Sequence, residues 1–410
     1  MLIVQKYGGT SVANAEKIFC AADKIAQDYL KNNDMVVVLS AQGNTTDMLL
    51  EKAGEISSDP SKRELDALLA TGEQQSAALM AMALLERGLP AISLNARQAG
   101  IFSTSEHGCA KIISINPDRI KAETQKRKIV LITGFQGIDE HGEITTLGRG
   151  ASDTTAIALA AALSADLCEI YTDVEGIFTT DPRTNKDALK YKEISYNEIL
   201  ELSSMGASVL HSRSVELAKK FGVEFSVKSS TIASEPTLIK DTLGIEKKII
   251  SGITADKNAC KVSINKVKPE YVSVVMNLLA KNKIAIDIIT HSSGDSSDSL
   301  SFSISEKDCY KIVQLLSKHK NEYFEGEIIT NKNLSKLSVV GPGIAYDTNI
   351  AAIFYEIFLA EGIKIHLLSL SAIKISALVA PEEAARATLA LHTKFMEAGI
   401  LAPQLSQEGR

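Results

Sequence analysis

The sequence reads KYGGTS at residues 6–11, immediately after an apolar stretch with the pattern of a β-strand. A second turn of the same kind reads GRGASDTT at residues 148–155, ahead of a stretch with helical spacing. Glycine-rich turns between a strand and a helix present backbone N–H groups and a helix N-terminus to a ligand, which suits phosphate or carboxylate oxygens. The two turns therefore predict two anions held face to face, as phosphoryl transfer requires.

Composition limits the class of protein. The 410 residues are 45% hydrophobic, so two or three domains are expected. The 44 basic and 50 acidic residues give a net charge of −6 without a basic stripe, which disfavours nucleic acid or an anionic membrane as partner. We expect a cytoplasmic location, since there is neither a membrane-length apolar run nor a signal peptide pattern. The five cysteines form no CxxC pair, so no structural metal site is expected.

Residues 1 to about 240 alternate between apolar runs rich in β-branched residues and stretches of helical spacing. Nearly continuous apolar runs are typical of strands covered on both faces. Strands are predicted at residues 2–7, 35–39, 91–94, 129–133, 167–171 and 223–227, and a long helical region at 64–86. This order predicts an α/β fold with a largely parallel sheet sandwiched by helices.

The pattern changes after residues 236–241, where turn residues and then charged residues indicate a boundary. A strand–helix–strand–strand–helix order then occurs twice, at about 249–328 and 333–404. The predicted strands are 260–264, 285–290, 300–305, 337–340, 364–369 and 374–379, and the predicted helices are 271–281, 309–317, 349–361 and 382–396. Each repeat is too small to bury both faces of its sheet, so pairing with the other repeat or with another subunit is expected.

Six ordered blocks of sequence carry a resemblance to a known family. They read VQKYGGTS at 4–11, SAQGNTTD at 40–47, GE at 72–73, GFQG at 134–137, TLGRG at 146–150, and YTDV at 171–174 leading to TDPR at 180–183. The chain resembles the aspartokinases of the amino acid kinase superfamily over essentially its whole length. The resemblance implies an amino acid kinase domain at residues 1–244, followed by two ferredoxin-like α+β ACT domains, which in sequence order are 248–330 and 331–404. In the family one ACT unit is inserted within the other, which would assign the strand near 249–253 to the second unit.

The resemblance also implies a reaction. Aspartokinases transfer the γ-phosphoryl group of ATP, bound with Mg²⁺, to the side chain of L-aspartate, giving 4-phospho-L-aspartate at the start of lysine, threonine and methionine biosynthesis. No general base is needed because the attacking carboxylate is already ionised at neutral pH. ACT domains imply allosteric control by lysine or threonine and a homo-oligomer formed through ACT pairing.

Two residues are candidates for catalysis. Lys6 could neutralise charge on the transferring group while the N–H groups of Gly8 and Gly9 hold phosphate oxygens, and no GxxxxGK[ST] loop is present. Without the family, Lys6 could equally be a solvated lysine at a strand edge. The resemblance implies that Asp153 orients Lys6, although by itself Asp153 could be an N-cap.

The amino acid site needs a cation for a carboxylate and an anion for an ammonium group, which Arg149 and Glu73 would supply. Taken alone, Glu73 is more simply an acid that stabilises a helix start. The resemblance implies substrate contacts by Thr46, Glu73, Arg149, Gly150 and Ser152. Ala151 replaces a glycine that is usual in the family, and its methyl group is tolerable only if φ is negative.

The nucleotide site is predicted where Thr172 and Asp173 end a strand, since ligands bind at the carboxyl ends of strands in open α/β sheets. The resemblance implies ATP contacts by Lys6, Tyr7, Gly8, Gly9, Thr172, Asp173, Phe178, Asp181, Arg183 and Lys228. Phe178 stands where a tyrosine is more familiar, so only ring packing is carried over.

The ACT repeats depart from the family in ways that bear on regulation. Asp287 and His291 fall where relatives contact an effector, although a single histidine at a strand end is more often a surface residue. Neither repeat has the Pro-Gly turn before its first helix, and Ala372 replaces a common glutamate. We therefore expect feedback by lysine or threonine to be weaker, rewired or confined to one repeat.

Two other functions remain open at this point. The chain could phosphorylate another acidic amino acid such as N-acetylglutamate, but an acylated amine has no positive charge for Glu73 to bind. The kinase half could also be inert and the ACT pair a sensor, which the presence of Lys6, Arg149 and Asp153 disfavours.

Overall fold

The computed structural model describes residues 1–148, 150–204, 210–241, 250–292, 298–318, 326–341, 344, 347–371 and 373–401. The elements of the first part are β1 (Leu2–Tyr7), a short 3-10 helix (Gly9–Val12), α1 (Ala15–Leu30), β2 (Asp34–Leu39), α2 (Thr45–Ile56), α3 (Lys62–Leu69), α4 (Thr71–Glu86), β3 (Ala91–Leu94), β4 (Ile101–Ser103), β5 (Ile112–Ile115), α5 (Asp118–Gln125), β6 (Ile129–Thr133), β7 (Gln136–Ile138), β8 (Ile144–Thr146), α6 (Ala151–Leu163), β9 (Leu167–Thr172), β10 (Glu193–Ile194), α7 (Tyr196–Ser204), α8 (Ser212–Phe221), β11 (Phe225–Ser229) and β12 (Thr237–Ile239).

The main sheet has eight strands in the order β10-β12-β11-β9-β1-β2-β6-β3. Its neighbouring strands pair in parallel, apart from the antiparallel pair β11 and β12. Residues 35–39 of β2 are completely buried, as a nearly continuous apolar run predicts for a strand covered on both faces. The predicted α/β fold with a largely parallel sheet is confirmed. A smaller sheet, in the order β5-β4-β7-β8, was not predicted.

Successive side chains of β1 enter two different cores. Val4 packs into the core that contains residues of α6 and α8, whereas Ile3 and Tyr7 pack into the core that contains residues of α1 and α4. Lys6 lies two residues after Val4 and therefore on the α6 side, because alternate residues of a strand share a face. The strand pleat thus directs Lys6 towards the start of α6.

Two predicted elements of the first part were wrong in detail. The helical region 64–86 is two helices, α3 and α4, which meet at Ala70, and the Thr71 hydroxyl donates to the carbonyl of Leu68 at this junction. The strand predicted at 223–227 begins two residues later, at Phe225. Val223 is used to end α8, because Gly222 takes a left-handed conformation and the Val223 N–H donates to the carbonyl of Ala218.

The C-terminal part contains β13 (Gly252–Val267), α9 (Pro269–Lys281), β14 (Ile289–Ser292), β15 (Asp298–Ser305), α10 (Glu306–Ser317), β16 (Ile328–Val340), α11 (Thr348–Ala360), β17 (Leu367–Leu370), β18 (Lys374–Val379) and α12 (Pro381–Glu397). Of the helices in the described ranges, none is long and apolar enough to span a membrane.

The two repeats share one antiparallel sheet of six strands, in the order β14-β15-β13-β16-β18-β17. The long strands β13 and β16 run through both repeats. Residues 252–256 of β13 pair with 336–340 of β16 beside β18, whereas residues 261–264 pair with 328–331 beside β15. The start of β13 therefore lies next to the second repeat, and the two repeats are interleaved.

Several predicted strands of this part were too short or shifted. The predictions 260–264 and 337–340 cover only fractions of β13 and β16, because irregular pairing around Asp256 and Ala259 interrupts the apolar pattern without ending β13. The strand predicted at 285–290 begins only at Ile289. Ile284 and Ile288 are buried in two different hydrophobic clusters ahead of β14, which gives this segment the apolar pattern of a strand.

Candidate active site

The turns after β1 and β2 meet the carboxyl end of β9. The Gly8 N–H donates to the carbonyl of Tyr171 at 3.2 Å, and the Gly43 N–H donates to the carbonyl of Gly9 at 3.0 Å. A Cβ on Gly9 would lie 2.5 Å from the carbonyl oxygen of Ala41, so a larger residue would separate the turns after β1 and β2. These backbone contacts join segments that are far apart in sequence into one surface at the carboxyl ends of the strands.

Lys6, near the carboxyl end of β1, and Asp153, in the first turn of α6, form a buried ion pair. Lys6 Nζ lies 2.6 Å from Asp153 Oδ1, and the two side chains are only 11% and 8% exposed. Lys6 is therefore not a solvated lysine at a strand edge. Asp153 is not the N-cap of α6, because that position belongs to Gly150. The structure brings together the two residues that the sequence singled out for catalysis.

The space in front of Gly8 is bordered by polar groups. A Cβ on Gly8 would lie 3.4 Å from Lys6 Nζ, 3.6 Å from the carbonyl oxygen of Tyr171 and 4.0 Å from Ser11 Oγ. Ser11 Oγ is buried and has no hydrogen-bond partner among the described residues. A hydroxyl at this place can donate to an oxygen of a phosphate held at Gly8. Sequence reasoning missed Ser11, although it belongs to the KYGGTS turn.

Glu73 is a buried carboxylate with one unused oxygen. Its Oε1 accepts a hydrogen bond from the N–H of Ala41 at 3.0 Å, while Oε2 has no partner within the part of the chain that the structure describes. Burial raises the pKa of Glu73 to about 7, against the lowering effect of the Ala41 N–H. A buried carboxylate oxygen of this kind is suited to an ammonium group.

The other predicted substrate residues border the same region. Thr46 is partly exposed in the first turn of α2, next to Thr45, whose Cγ2 would lie 3.5 Å from a Cβ on Gly72. A Cβ on Gly134 would lie 2.6 Å from Ser152 Oγ, so Ser152 packs directly against the turn after β6. Arg149 lies outside the described residues.

The turn that carries Arg149 is described on both sides of it. Gly148 and Gly150 both have positive φ, at 87° and 69°. Ala151 begins α6 in helical conformation, buried beside Ala110 and Leu147. The methyl group at residue 151 is therefore accommodated without the strain that a positive φ would cause.

Asp66 and Arg213, which the sequence did not single out, make hydrogen bonds to the segment that leads into this turn. Asp66 accepts hydrogen bonds from the N–H groups of Gly108 and Thr146, at 3.0 and 2.9 Å. The Arg213 guanidinium donates to the carbonyls of Leu147 and Ala110, at 2.7 and 2.9 Å. They join segments that are distant in sequence, so no local pattern could have identified them.

The predicted nucleotide residues lie in two groups. Thr172 ends β9, and its hydroxyl donates to Asp173 at 3.1 Å. Arg183 donates to Asp181, and this contact lowers the pKa of Asp181 although burial alone would raise it. Within the described ranges, no hydrogen bond or ion pair joins Arg183 to Lys6. Thr172 follows Tyr171, whose carbonyl accepts the Gly8 N–H, so the first group adjoins the turn after β1. The pKa of Arg183 is raised mainly by Asp181 and in part by Asp173, so the two groups are close enough to interact.

Tyr7 and Lys228 face the opposite side of the sheet from Lys6. The Tyr7 ring is completely buried and stacks on Tyr171, with 4.7 Å between ring centroids. Lys228 Nζ makes an ion pair with Glu169, on the α1 side. Tyr7 can thus meet a ligand through its main chain only, and Lys228 is engaged within the protein.

The predicted effector residues have different partners. Asp287 makes ion pairs with Lys336 and Lys374, which outweigh the effect of burial and lower the pKa of Asp287. His291 Nε2 lies 3.1 Å from Asp298 Oδ2. Ala372 lies outside the described residues.

The sequence matches two known protein families in different parts of the chain. The sequence model of the amino acid kinase family matches residues 1–229, and that of an ACT domain matches residues 337–395. The aspartokinase of Bacillus sp. (strain MGA3) is 44% identical over 402 residues, which cover 97% of this chain and 98% of that protein.

Solved structures of aspartokinases are similar as well. The aspartate kinase from Synechocystis is 38% identical, covers 100% of this chain and 71% of its own, and has a TM-score of 0.55. Aspartokinase III of E. coli, solved with aspartate and ADP, has a TM-score of 0.80 at 22% identity and covers 97% of this chain and 100% of its own. That second likeness concerns the fold alone.

Proposed function

Because the chain belongs to the aspartokinases of the amino acid kinase family, we propose that it transfers the γ-phosphoryl group of ATP to the side-chain carboxylate of L-aspartate. The product would be 4-phospho-L-aspartate. The observation that carries this reaction is the buried ion pair of Lys6 and Asp153 at the carboxyl ends of the central strands. A cation fixed there lies where the charge of a transferring phosphoryl group would have to be neutralised.

The transfer itself needs few protein groups. The aspartate carboxylate is ionised at neutral pH, so it attacks phosphorus without a base. Asp153 holds the Lys6 ammonium in place, and the N–H groups of the turn after β1 would hold phosphate oxygens. Catalysis then rests on positioning and charge stabilisation.

The amino acid end of the site would be formed by Glu73 and Arg149. The Glu73 oxygen that has no partner among the described residues supports binding of the α-ammonium group, because an ionised carboxylate in this buried place requires a cation. Arg149 would bind the α-carboxylate, with Thr46, Gly150 and Ser152 adding hydrogen bonds. This favours a free amino acid over N-acetylglutamate, whose acylated nitrogen carries no charge.

The nucleotide end would be formed by Thr172 and Asp173, together with the segment that contains Phe178, Asp181 and Arg183. Membership of the aspartokinases supports an adenine nucleotide at this end of the site. Mg²⁺ would enter with ATP as the counter-charge of its phosphates. Among the described residues, no three His, Cys, Asp or Glu side chains converge to hold a metal ion.

The experiment that tests this function traps the acyl phosphate as a hydroxamate. ATP, Mg²⁺ and hydroxylamine are supplied with L-aspartate, L-glutamate or N-acetyl-L-glutamate in separate reactions. We expect product with aspartate alone. Product with N-acetylglutamate in preference to aspartate would reassign the substrate, and no product with any of the three would favour an inert kinase half with a sensing ACT pair.

The pH dependence of aspartate binding should report Glu73. With a pKa of about 7 in the free enzyme, Glu73 is ionised above pH 7 and increasingly protonated below it. Only the ionised form can pair with an ammonium group, so the KM for aspartate should rise up to about tenfold per pH unit below 7. Steady-state kinetics between pH 5.5 and 8.5 would measure this. A KM for aspartate that stays constant over this range would contradict the role of Glu73.

Feedback by lysine or threonine should be weak. Two internal cations already occupy Asp287, so the ammonium group of an effector would have to compete with Lys336 and Lys374. We expect most of the activity to remain when lysine and threonine are both present at micromolar concentrations. Nearly complete inhibition under these conditions would show that feedback is intact.

The wider setting follows from family membership. We propose that the enzyme acts in the cytoplasm at the first step of the pathway to lysine, threonine and methionine. The ACT repeats would pair with those of another subunit to form a homo-oligomer. The domain limits 1–244, 248–330 and 331–404 are part of this proposal. Residues 252–256 of β13 are an exception, because they pair with β16 beside the second repeat.

A further inference from the structure

Thr179 connects the segment 178–183, which is proposed to bind the nucleotide, to the second ACT repeat. It lies between Phe178 and Asp181, and its side-chain oxygen is 2.9 Å from Nε2 of His392 on α12. Both residues are almost completely buried, at 0% and 1% exposure. His392 falls inside the region that matches the ACT domain model, whereas Thr179 falls inside the region that matches the kinase model. The hydrogen bond therefore joins the two parts of the protein.

Other hydrogen bonds fix Thr179 from several directions. Its carbonyl oxygen accepts from the Ile253 N–H of β13 at 2.8 Å. Its side-chain oxygen accepts from the Leu189 N–H at 3.0 Å, and its own N–H donates to the Leu189 carbonyl at 2.9 Å. The hydroxyl hydrogen can then point to His392, since the oxygen already accepts from Leu189. A segment held in this way has its backbone path set partly by the ACT repeat.

His392 is a buried polar residue beside the apolar core of the second repeat. Its neighbours in sequence, Leu391 and Phe395, are buried in the core of the second repeat. Burial lowers the pKa of His392, so the neutral ring is favoured at neutral pH. A neutral, buried ring nitrogen without its partner would cost more free energy than an apolar side chain of similar size. The hydrogen bond between Thr179 and His392 is found there despite this cost.

We propose that His392 is a positioning residue of the nucleotide site, acting through Thr179 to hold the segment of Phe178, Asp181 and Arg183 for ATP. This inference rests on the proposed function, because that segment is assigned to ATP. It differs from a purely structural role in one respect. Loss of the bond should weaken the binding of nucleotide and leave the binding of aspartate unchanged, since Glu73 lies on α4 and its described hydrogen bond is to Ala41.

The test compares four single variants with the wild type in full-length protein. His392→Leu and Thr179→Val remove the hydrogen bond from either side. His392→Gln keeps an amide at the position of Nε2. Thr388→Val is the matched control: it lies one turn earlier on α12, is buried, and its hydroxyl donates only to the carbonyl of Ala384 within the helix, among the contacts described. Thermal unfolding of each variant shows whether it is folded.

The expected result is a KM for ATP about five- to tenfold higher in His392→Leu and in Thr179→Val, with the KM for aspartate within about twofold of wild type. His392→Gln should restore most of the loss, and Thr388→Val should behave as wild type. The double variant of His392→Leu and Thr179→Val should be no worse than either single variant.

Equal changes in both KM values, or a KM for ATP as unaffected as in Thr388→Val, would overturn the proposal. ADP binding, measured by calorimetry without turnover, separates this result from failure of the proposed function. If the wild type binds ADP but phosphorylates nothing, the ADP affinities of the variants still decide the role of His392. If it binds no ADP, both proposals are overturned.

Discussion

Lys6→Met should lower kcat by at least about a thousandfold while the protein stays folded. The Lys6 ammonium is buried against Asp153, so no solvent cation can replace it at the transferring phosphoryl group. Methionine fills the same space but carries no charge. The hydroxamate assay at saturating ATP and aspartate measures the effect.

The control for this variant is Lys31→Met, which removes an exposed lysine at the end of α1. It should keep the kcat of the wild type. Lys6→Met also leaves Asp153 as a buried charge without its cation, so unfolding must be followed in parallel. A folded Lys6→Met protein with more than about a tenth of the wild-type kcat would exclude Lys6 as the catalytic cation.

Glu73→Gln should raise the KM for aspartate about 10- to 100-fold and leave the KM for ATP unchanged. Glutamine can still accept the N–H of Ala41 but offers no negative charge to an ammonium group. The rise of KM below pH 7 should also disappear, because the titrating group is gone. Both KM values are obtained from the same steady-state assay.

Glu64→Gln is the matched control, an exposed glutamate on the neighbouring helix α3. It should leave both KM values unchanged. If Glu73→Gln changed the two KM values equally, Glu73 would have a structural role only.

Glu73→Gln should weaken aspartate binding but increase the stability of the free protein. The pKa of Glu73 is raised on folding from 4.5 to about 7, so the ionised carboxylate is disfavoured in the free folded protein. The resulting loss of stability develops as the pH rises from 4.5 to 7 and is complete above 7. Glu73→Gln avoids this loss and should unfold at a higher temperature than wild type at pH 8 without aspartate. An unstrained, hydrated Glu73 would show no such difference.

The sequence could predict β1 and β6 because residues buried on both faces of the main sheet form nearly continuous apolar runs. The edge strand β3 and the strand β18 of the second sheet also have the predicted bounds, although three of the four residues of β3 are only partly buried. The long strands β13 and β16 could not be delimited. Their pairing partners lie in both repeats, and the interleaving is a tertiary property without a local signal.

The candidate site divides in the same way. Lys6, Glu73 and Asp153 belong to short motifs whose chemistry can be argued from residue types, and the structure places Lys6 and Asp153 in contact. Asp66 and His392 act across large sequence separations, on Thr146 and Thr179 respectively. Such contacts depend on how the segments pack, so only the folded chain identifies them.

The central claim is that Lys6 and Asp153 act as one catalytic unit, and a double-mutant cycle tests it most directly. The kcat for aspartyl hydroxamate formation is measured for Lys6→Met, Asp153→Asn and the double variant. If Asp153 acts only by holding Lys6, the double variant should lose no more activity than Lys6→Met alone. Losses that multiply in the double variant would contradict the claim, because the two side chains would then contribute independently.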